Sequence, residues 1–247
     1  MRRRNKVLAI VLAAIIMVVV GFIVWAETPL GPMPEALTAL QSDSLVNVST
    51  DKWLIFQPQT SKWNIGFIIY PGGRVDYRAY APAAHAIAAE GYLTIIVPMP
   101  LNLAVFGADR ADEVINAYSE IRAWAIGGHS LGGTMAAQFA SKHPSTIKGL
   151  VLWASYPASG NDLSKHDIRV ITIHGSKDGL VSSSKIESSL QFLPPDTIRV
   201  EILGGNHAQF GWYGSQLGDN DATISRELQQ LQLINATLQL LGKLSEF

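Results

Sequence analysis

The sequence predicts an α/β fold, a mostly parallel sheet with helices on both faces, from three observations. From Ile65 onward, short apolar runs alternate with helix-patterned segments, the mark of parallel strands joined by crossover helices. Glycine and proline punctuate the joins, as at Pro71-Gly72-Gly73 and Gly91, where a helix or strand has to stop. One join, Gly128-His129-Ser130-Leu131-Gly132, has the glycine spacing of a sharp strand-to-helix corner with an exposed serine.

Taken in order, the chain opens with Arg2, Arg3, Arg4 and Lys6, and no acidic residue precedes Glu27. Val7 to Trp25 is then apolar throughout, with Gly21 inside it. At 1.5 Å per residue that run reaches ~28 Å, close to a bilayer's hydrocarbon thickness. The basic cluster assigns the N-terminus to the cytoplasm and the rest of the chain to the outside. The run is longer than an ordinary signal core, which favours an uncleaved anchor; a signal peptide cut after Ala26 is the alternative. Residues 27–44 follow as a spacer, with Thr28 to Pro34 rich in proline and extended.

The domain proper is expected over residues 45–247. Strands are expected at Leu45 to Val48, Trp53 to Gln57, Ile65 to Tyr70, Leu93 to Val97, Ile121 to Ile126, Gly149 to Trp153, Arg169 to His174 and Arg199 to Ile202. Helices are expected at Ala79 to Glu90, Arg110 to Glu120, Leu131 to Lys142, Ser183 to Phe192 and Ala222 to Leu244. Hydrophobic content of 48% supports a substantial core, and the absence of cysteine excludes disulfides, thiolate metal sites and a thiol nucleophile. Beyond residue 26 there are 15 basic and 20 acidic residues, a balance of −5. That balance carries no footprint for nucleic acid. No metal-ligand spacing is present, and no cofactor is called for.

The chemistry starts from Ser130. A serine hydroxyl needs a base to take its proton, and the base needs a partner to fix its tautomer. Asp178 follows the strand Arg169 to Ile173 in the loop His174-Gly175-Ser176-Lys177-Asp178, and His207 follows the last strand in Gly204-Gly205-Asn206-His207. Serine, acid and histidine thus come in the order of one known triad arrangement, each beyond the carboxyl end of a strand. Asp167 and Asp219 are fallback acids. His129 is expected to point away from the serine hydroxyl, and His174 to pack. The oxyanion donors are expected at the Leu131 N–H, where the helix dipole helps, and at the Gly73 N–H in the turn after Ile65 to Tyr70. Leu101, Leu103 and Phe106 in the apolar stretch Pro98 to Gly107, with Phe210 and Trp212, are the candidate lining of a substrate pocket.

From about Leu45 to its end the chain resembles the α/β-hydrolase superfamily, and more narrowly small bacterial serine hydrolases with an "alpha/beta hydrolase fold-5" domain. The matching stretches are Tyr70 to Asp76, Gly128 to Gly133, His174 to Asp178 and Gly205 to Phe210. The resemblance implies an α/β-hydrolase fold and an esterase-type serine hydrolase with Ser130, Asp178 and His207 as its triad. The chain departs from dienelactone hydrolases, which have cysteine at the position of Ser130, and from lipases with a His-Gly-Gly-Gly turn, having Tyr70-Pro71-Gly72-Gly73 instead. The short connection Ser155 to Asp167 leaves no room for a large cap domain. The expectation is therefore a membrane-tethered enzyme acting on small-molecule esters, of short or medium acyl chain, at an open site. A non-catalytic binding protein on the same scaffold, a thioesterase and an acyltransferase are the alternatives.

Overall fold

Residues 2–59 and 63–246 are described by the computed structural model; of residues 2–4, 245 and 246 only the backbone is described, so the side chains of Arg2, Arg3 and Arg4 lie outside it. The elements run α1 (Arg2–Ala26), α2 (Pro34–Thr38), β1 (Val46–Ser49), β2 (Leu54–Pro58), β3 (Ile65–Tyr70), α3 (Ala81–Ala89), β4 (Leu93–Ile96), α4 (Ala111–Ala117), β5 (Ala123–His129) and α5 (Leu131–Lys142). Then come β6 (Ile147–Trp153), β7 (Arg169–Gly175), α6 (Ser183–Ser189), β8 (Ile198–Ile202) and α7 (Arg226–Gly242).

The strands form one sheet in the order β1-β2-β4-β3-β5-β6-β7-β8. β2 runs antiparallel to both of its neighbours, and the remaining pairs are parallel. A parallel sheet needs cover on both faces, and the side-chain alternation shows it. Ile65, Phe67 and Ile69 of β3 join the core under α3 and α7, whereas Ile68 and Tyr70 join the core under α4 and α5. β6 divides the same way, Val151 and Trp153 against Leu150 and Leu152. The order reverses at β3, where β4 lies to one side and β5 to the other. Open α/β sheets bind their ligands at such a reversal, beyond the carboxyl ends of the strands.

Element ends differ from expectation where local caps decide them. Asp76 accepts a hydrogen bond from Arg78 N at 2.9 Å and opens a 3-10 turn over Tyr77–Tyr80, so α3 starts at Ala81 rather than Ala79. The closing helix starts at Arg226 rather than Ala222, because Ser225 caps it through Leu228 N at 3.2 Å. α4 stops at Ala117, and Tyr118 turns edge-on against Trp63, with ring centroids 6.4 Å apart. Between β6 and β7 the chain is a short irregular connection, and there is no large cap.

α1 touches the domain only over its last turns, through Phe22, Trp25 and Ala26 among the described contacts. Its apolar stretch is long enough to cross a membrane, and no part of it is buried against the domain until Ala26, which is fully buried.

Candidate active site

Ser130 sits between β5 and α5 with φ 52° and ψ −122°. A non-glycine residue held in this region stores about 1–3 kcal/mol of strain, and such strain persists where the surroundings enforce it. The surroundings here are backbone. A Cβ on Gly128 would run into the Tyr70 carbonyl oxygen, and one on Gly132 into the carbonyl oxygens of Tyr70 and Pro71. Glycine two residues either side of the serine is thus what lets β5, α5 and the turn after β3 close on one another. Ser130 N donates to Trp153 O at 2.9 Å, and its carbonyl accepts from Ser155 Oγ at 2.7 Å, so the corner is fixed from β6.

Leu131 opens α5, and the turn after β3 lies against it. A Cβ on Gly73 would be 3.2 Å from Leu131 Cδ2. Neither the Leu131 N–H nor the Gly73 N–H has a hydrogen-bond partner among the described residues. Two neighbouring unpaired N–H groups, one at a helix N-terminus, form a place for negative charge.

His207 and Asp178 are brought together. His207 Nδ1 is 2.8 Å from Asp178 Oδ2, and both side chains are almost fully buried. An ionised carboxylate only accepts, so Nδ1 carries the proton and Nε2 is left as the basic nitrogen. Nε2 is buried without a hydrogen-bond partner. The other oxygen of Asp178 accepts from Leu180 N at 2.8 Å and Val181 N at 2.7 Å, which holds the carboxylate in place.

Asp219 is elsewhere in this arrangement. Its carboxylate accepts from Gly179 N at 3.0 Å, His207 N at 3.2 Å, Ala208 N at 2.7 Å and Asn220 N at 2.9 Å. It joins the backbone of the acid loop to that of the histidine loop and makes no bond to the imidazole. Asp167 is exposed on the connection before β7. Buried Gln229 of α7 completes the histidine loop, accepting from Asn206 N at 3.0 Å and donating to Asn206 O at 2.7 Å.

His129 is the residue that sequence reasoning undervalued. It is buried, and its ring lies 4.4 Å from that of His207. Burial, followed by the His207 imidazole beside it, holds its pKa well below the ordinary value. It is therefore neutral. Tyr80 OH lies 2.9 Å from its Nδ1 and accepts from Gly72 N at 2.9 Å. With its oxygen already taking the Gly72 proton, the Tyr80 hydroxyl donates to Nδ1, which leaves the proton of His129 on Nε2. The Tyr80 phenol is itself kept protonated by burial. The only sequence signal was position: β5 faces both cores, and the residue before the corner points inward. His174, expected to pack, is buried, with its Nε2 3.7 Å from Glu201.

The residues expected to line a substrate pocket fall in different places. A cavity of about 220 Å³ is lined by Ser130, Leu131, Thr134, Ala154, Ser155, Tyr156 and Val181. None of Leu101, Leu103, Phe106, Phe210 and Trp212 is among these residues. Phe210 is fully buried and stacks on His129, with planes 8° apart, because the turn Ala208–Phe210 folds it beneath the histidine. Trp212 is nearly buried, its backbone N–H donating to Ala79 O at 2.8 Å and its backbone carbonyl accepting from Met33 N at 2.8 Å. Phe106 is exposed and meets Phe22 of α1 edge-on. Leu101 takes a left-handed conformation, φ 53°, in the turn that carries Asn102. Leu103 lines a second cavity of about 300 Å³ that also includes Gly73, and Phe106 lines a separate one of about 400 Å³.

Comparison with known proteins agrees with this architecture. A family model described as the alpha/beta hydrolase family matches residues 66–231. No curated protein matches the sequence. A predicted CIB-like hydrolase from Thermoplasma acidophilum superposes with a TM-score of 0.59 at 13% identity, covering 79% of this chain and 99% of its own. An esterase from Thermogutta terrifontis, solved with butyrate bound, gives 0.61 at 12% identity, covering 81% and 94%. A Butyrivibrio proteoclasticus protein, Est1E, solved with ferulic acid, gives 0.58 at 13% identity, covering 81% and 100%. At these identities the likeness shows the fold.

Proposed function

Since the chain belongs to the alpha/beta hydrolase family, we propose that it is a serine esterase tethered to a membrane by α1. Ser130 is the nucleophile, His207 the base, and Asp178 the group that orients it. The observation that carries this reading is the strained Ser130 at the corner before α5, with the buried His207–Asp178 pair on the adjoining loops.

In this reading Ser130 Oγ attacks the ester carbonyl carbon as His207 Nε2 takes its proton. The carbonyl oxygen gains negative charge, which the Leu131 and Gly73 N–H groups receive. His207 then gives the proton to the leaving alcohol, and the acyl group stays on Ser130. Water, deprotonated by the same nitrogen, releases the acid. Asp178 stabilises the imidazolium formed in each half-reaction without taking its proton. The esterase solved with butyrate supports an ester as the substrate class. The Arg2, Arg3, Arg4 and Lys6 cluster before the apolar stretch supports a cytoplasmic N-terminus with the domain outside.

A fluorophosphonate probe tests the proposal directly. The parent protein should be labelled and should hydrolyse a soluble acetate ester. Ser130→Ala should lose both properties while keeping its circular dichroism spectrum. Unlabelled parent protein, or a Ser130→Ala variant that retains turnover, overturns the assignment.

A further inference from the structure

The second cavity is walled by the end of the apolar helix. Its lining is Trp25, Leu30, Gly73, Arg74, Leu103, Gln216 and Leu217, at about 300 Å³. Gly73 ties it to the anion-receiving pair, because Gly73 lies against Leu131. Ser130 lines the smaller cavity together with Leu131, and Gly73 of the second cavity lies against that Leu131.

The helix end is built into this wall. Arg74 donates from Nε to Trp25 O at 2.8 Å and from its terminal nitrogen to Thr28 O at 2.7 Å, with its guanidinium 4.3 Å from the Trp25 ring centroid. Asn102 Nδ2 donates to Ala26 O at 3.1 Å. Leu30 pairs with the turn itself, its N–H donating to Arg74 O at 2.8 Å and its carbonyl accepting from Asp76 N at 3.0 Å. The turn carrying Gly73 is therefore fixed to the end of α1.

Apolar residues are exposed on the same side. Leu217 is 100% exposed at the rim of the cavity, and Phe106 and Val105 are exposed where Phe106 meets Phe22. Phe22 lies four residues before Ala26, ~6 Å back along a helix axis. If α1 crosses a bilayer, Phe106 lies level with its last turn, and Trp25 lies in the interface that tryptophan favours. A water-facing domain gains nothing from these side chains, whereas a membrane surface covers them.

We propose that this cavity receives the apolar chain of an ester resident in the bilayer, so that the substrate is an acyl lipid or acylated amphiphile delivered along the end of α1. This rests on the esterase reading above. The cavity is at the small end of ligand pockets, ~300–1,000 Å³. It holds the part of the chain near the carbonyl while the remainder stays in the membrane. The end of α1 adds a wall to an otherwise open, uncapped site, and so favours a longer acyl chain than the uncapped domain alone would.

The experiment uses the full chain in phosphatidylcholine vesicles with two esters, 4-methylumbelliferyl oleate in the bilayer and 4-methylumbelliferyl acetate in solution. Leu217→Asp and Trp25→Ala should each lower the oleate-to-acetate ratio of kcat/KM at least tenfold. The chain has no cysteine, so Leu217→Cys, Phe106→Cys and Glu120→Cys can each carry one fluorophore. Spin-labelled lipid should quench the first two and leave the third, which precedes β5 at the amino ends of the parallel strands, unaffected. An unchanged ratio, or no quenching at positions 217 and 106, overturns the proposal while leaving the esterase reading intact. Hydrolysis of neither ester by the parent protein removes the reading on which the proposal rests.

Discussion

The imidazole of His129 lies against that of His207, with ring centroids 4.4 Å apart, and Phe210 backs it on a nearly parallel plane. A neutral ring beneath the proposed base is compatible with a cation forming on His207, whereas a charged one would oppose it. Burial keeps His129 neutral, so its folded-state pKa is below that of the unfolded chain.

The sign of the resulting pH effect follows. Above ~6.5 both states hold this histidine neutral, and its contribution is constant. As pH falls below that value the unfolded chain takes up a proton and the folded one does not, so stability is lost at up to ~1.4 kcal/mol per pH unit. Urea unfolding between pH 7 and 5 should show this loss. His129→Asn, whose carbonyl can still accept from Tyr80, should show a shallower dependence. Part of the slope should remain, because burial lowers the pKa of His174 as well. Equal slopes in the two proteins contradict the neutral His129.

Asp178 and Asp219 should separate cleanly by readout. Asp178→Asn keeps the shape but presents an amide to His207 Nδ1 and favours the wrong tautomer, which in a comparable triad costs about ten-thousandfold in kcat. Asp219→Asn leaves the imidazole's partner in place but weakens bonds to four backbone N–H groups, so it should cost ~1–3 kcal/mol of stability. Its effect on kcat should be much smaller than that of Asp178→Asn. Steady-state kinetics and urea midpoints on both variants decide this, and a crippled but fully stable Asp219→Asn reverses the assignment.

The alternating apolar runs made the sheet legible, because the central strands are buried on both faces and most of the parallel crossovers carry a helix. The corner at Ser130 was legible because only glycine allows Gly128 and Gly132 to approach the Tyr70 carbonyl. The triad candidates were read from strand ends and chain order. What could not be read depends on tertiary direction. Nothing local says that Phe210 folds inward under His129, or that Asp219 gathers backbone N–H groups from two loops. The docking of Trp25 against Arg74 joins residues that are far apart in sequence, and no periodicity encodes such a contact.

Tyr80 links the two halves of the site, accepting from Gly72 N and donating to His129. Tyr80→Phe leaves both buried groups without that partner, at an expected cost of ~1–3 kcal/mol of stability. It should also lower kcat more than it raises KM, since in the proposed mechanism the turn carrying Gly73 receives charge only as the reaction proceeds. Parallel measurement of unfolding and ester kinetics tests this. A loss confined to KM would place Tyr80 in ground-state binding instead.

The bond after Ala26 should survive maturation. A peptidase needs an accessible, extended backbone, and susceptibility is argued from burial and hydrogen bonding. Here Ala26 is fully buried, Glu27 N still donates to Ile23 O at 2.8 Å, and Thr28 Oγ1 donates to Val24 O at 2.9 Å. Arg74 and Asn102 hold the Trp25, Ala26 and Thr28 carbonyls from the domain side. Once the domain has folded, the segment is closed to cleavage. Intact-mass measurement of membrane-extracted protein should find the residues before Glu27 retained, and protease added outside the cell should reach the domain. Arg74→Ala combined with Asn102→Ala should release the segment and make it sensitive to added protease. A mature chain beginning at Glu27 would refute the anchor, and with it the wall that Trp25 contributes to the cavity beside Gly73.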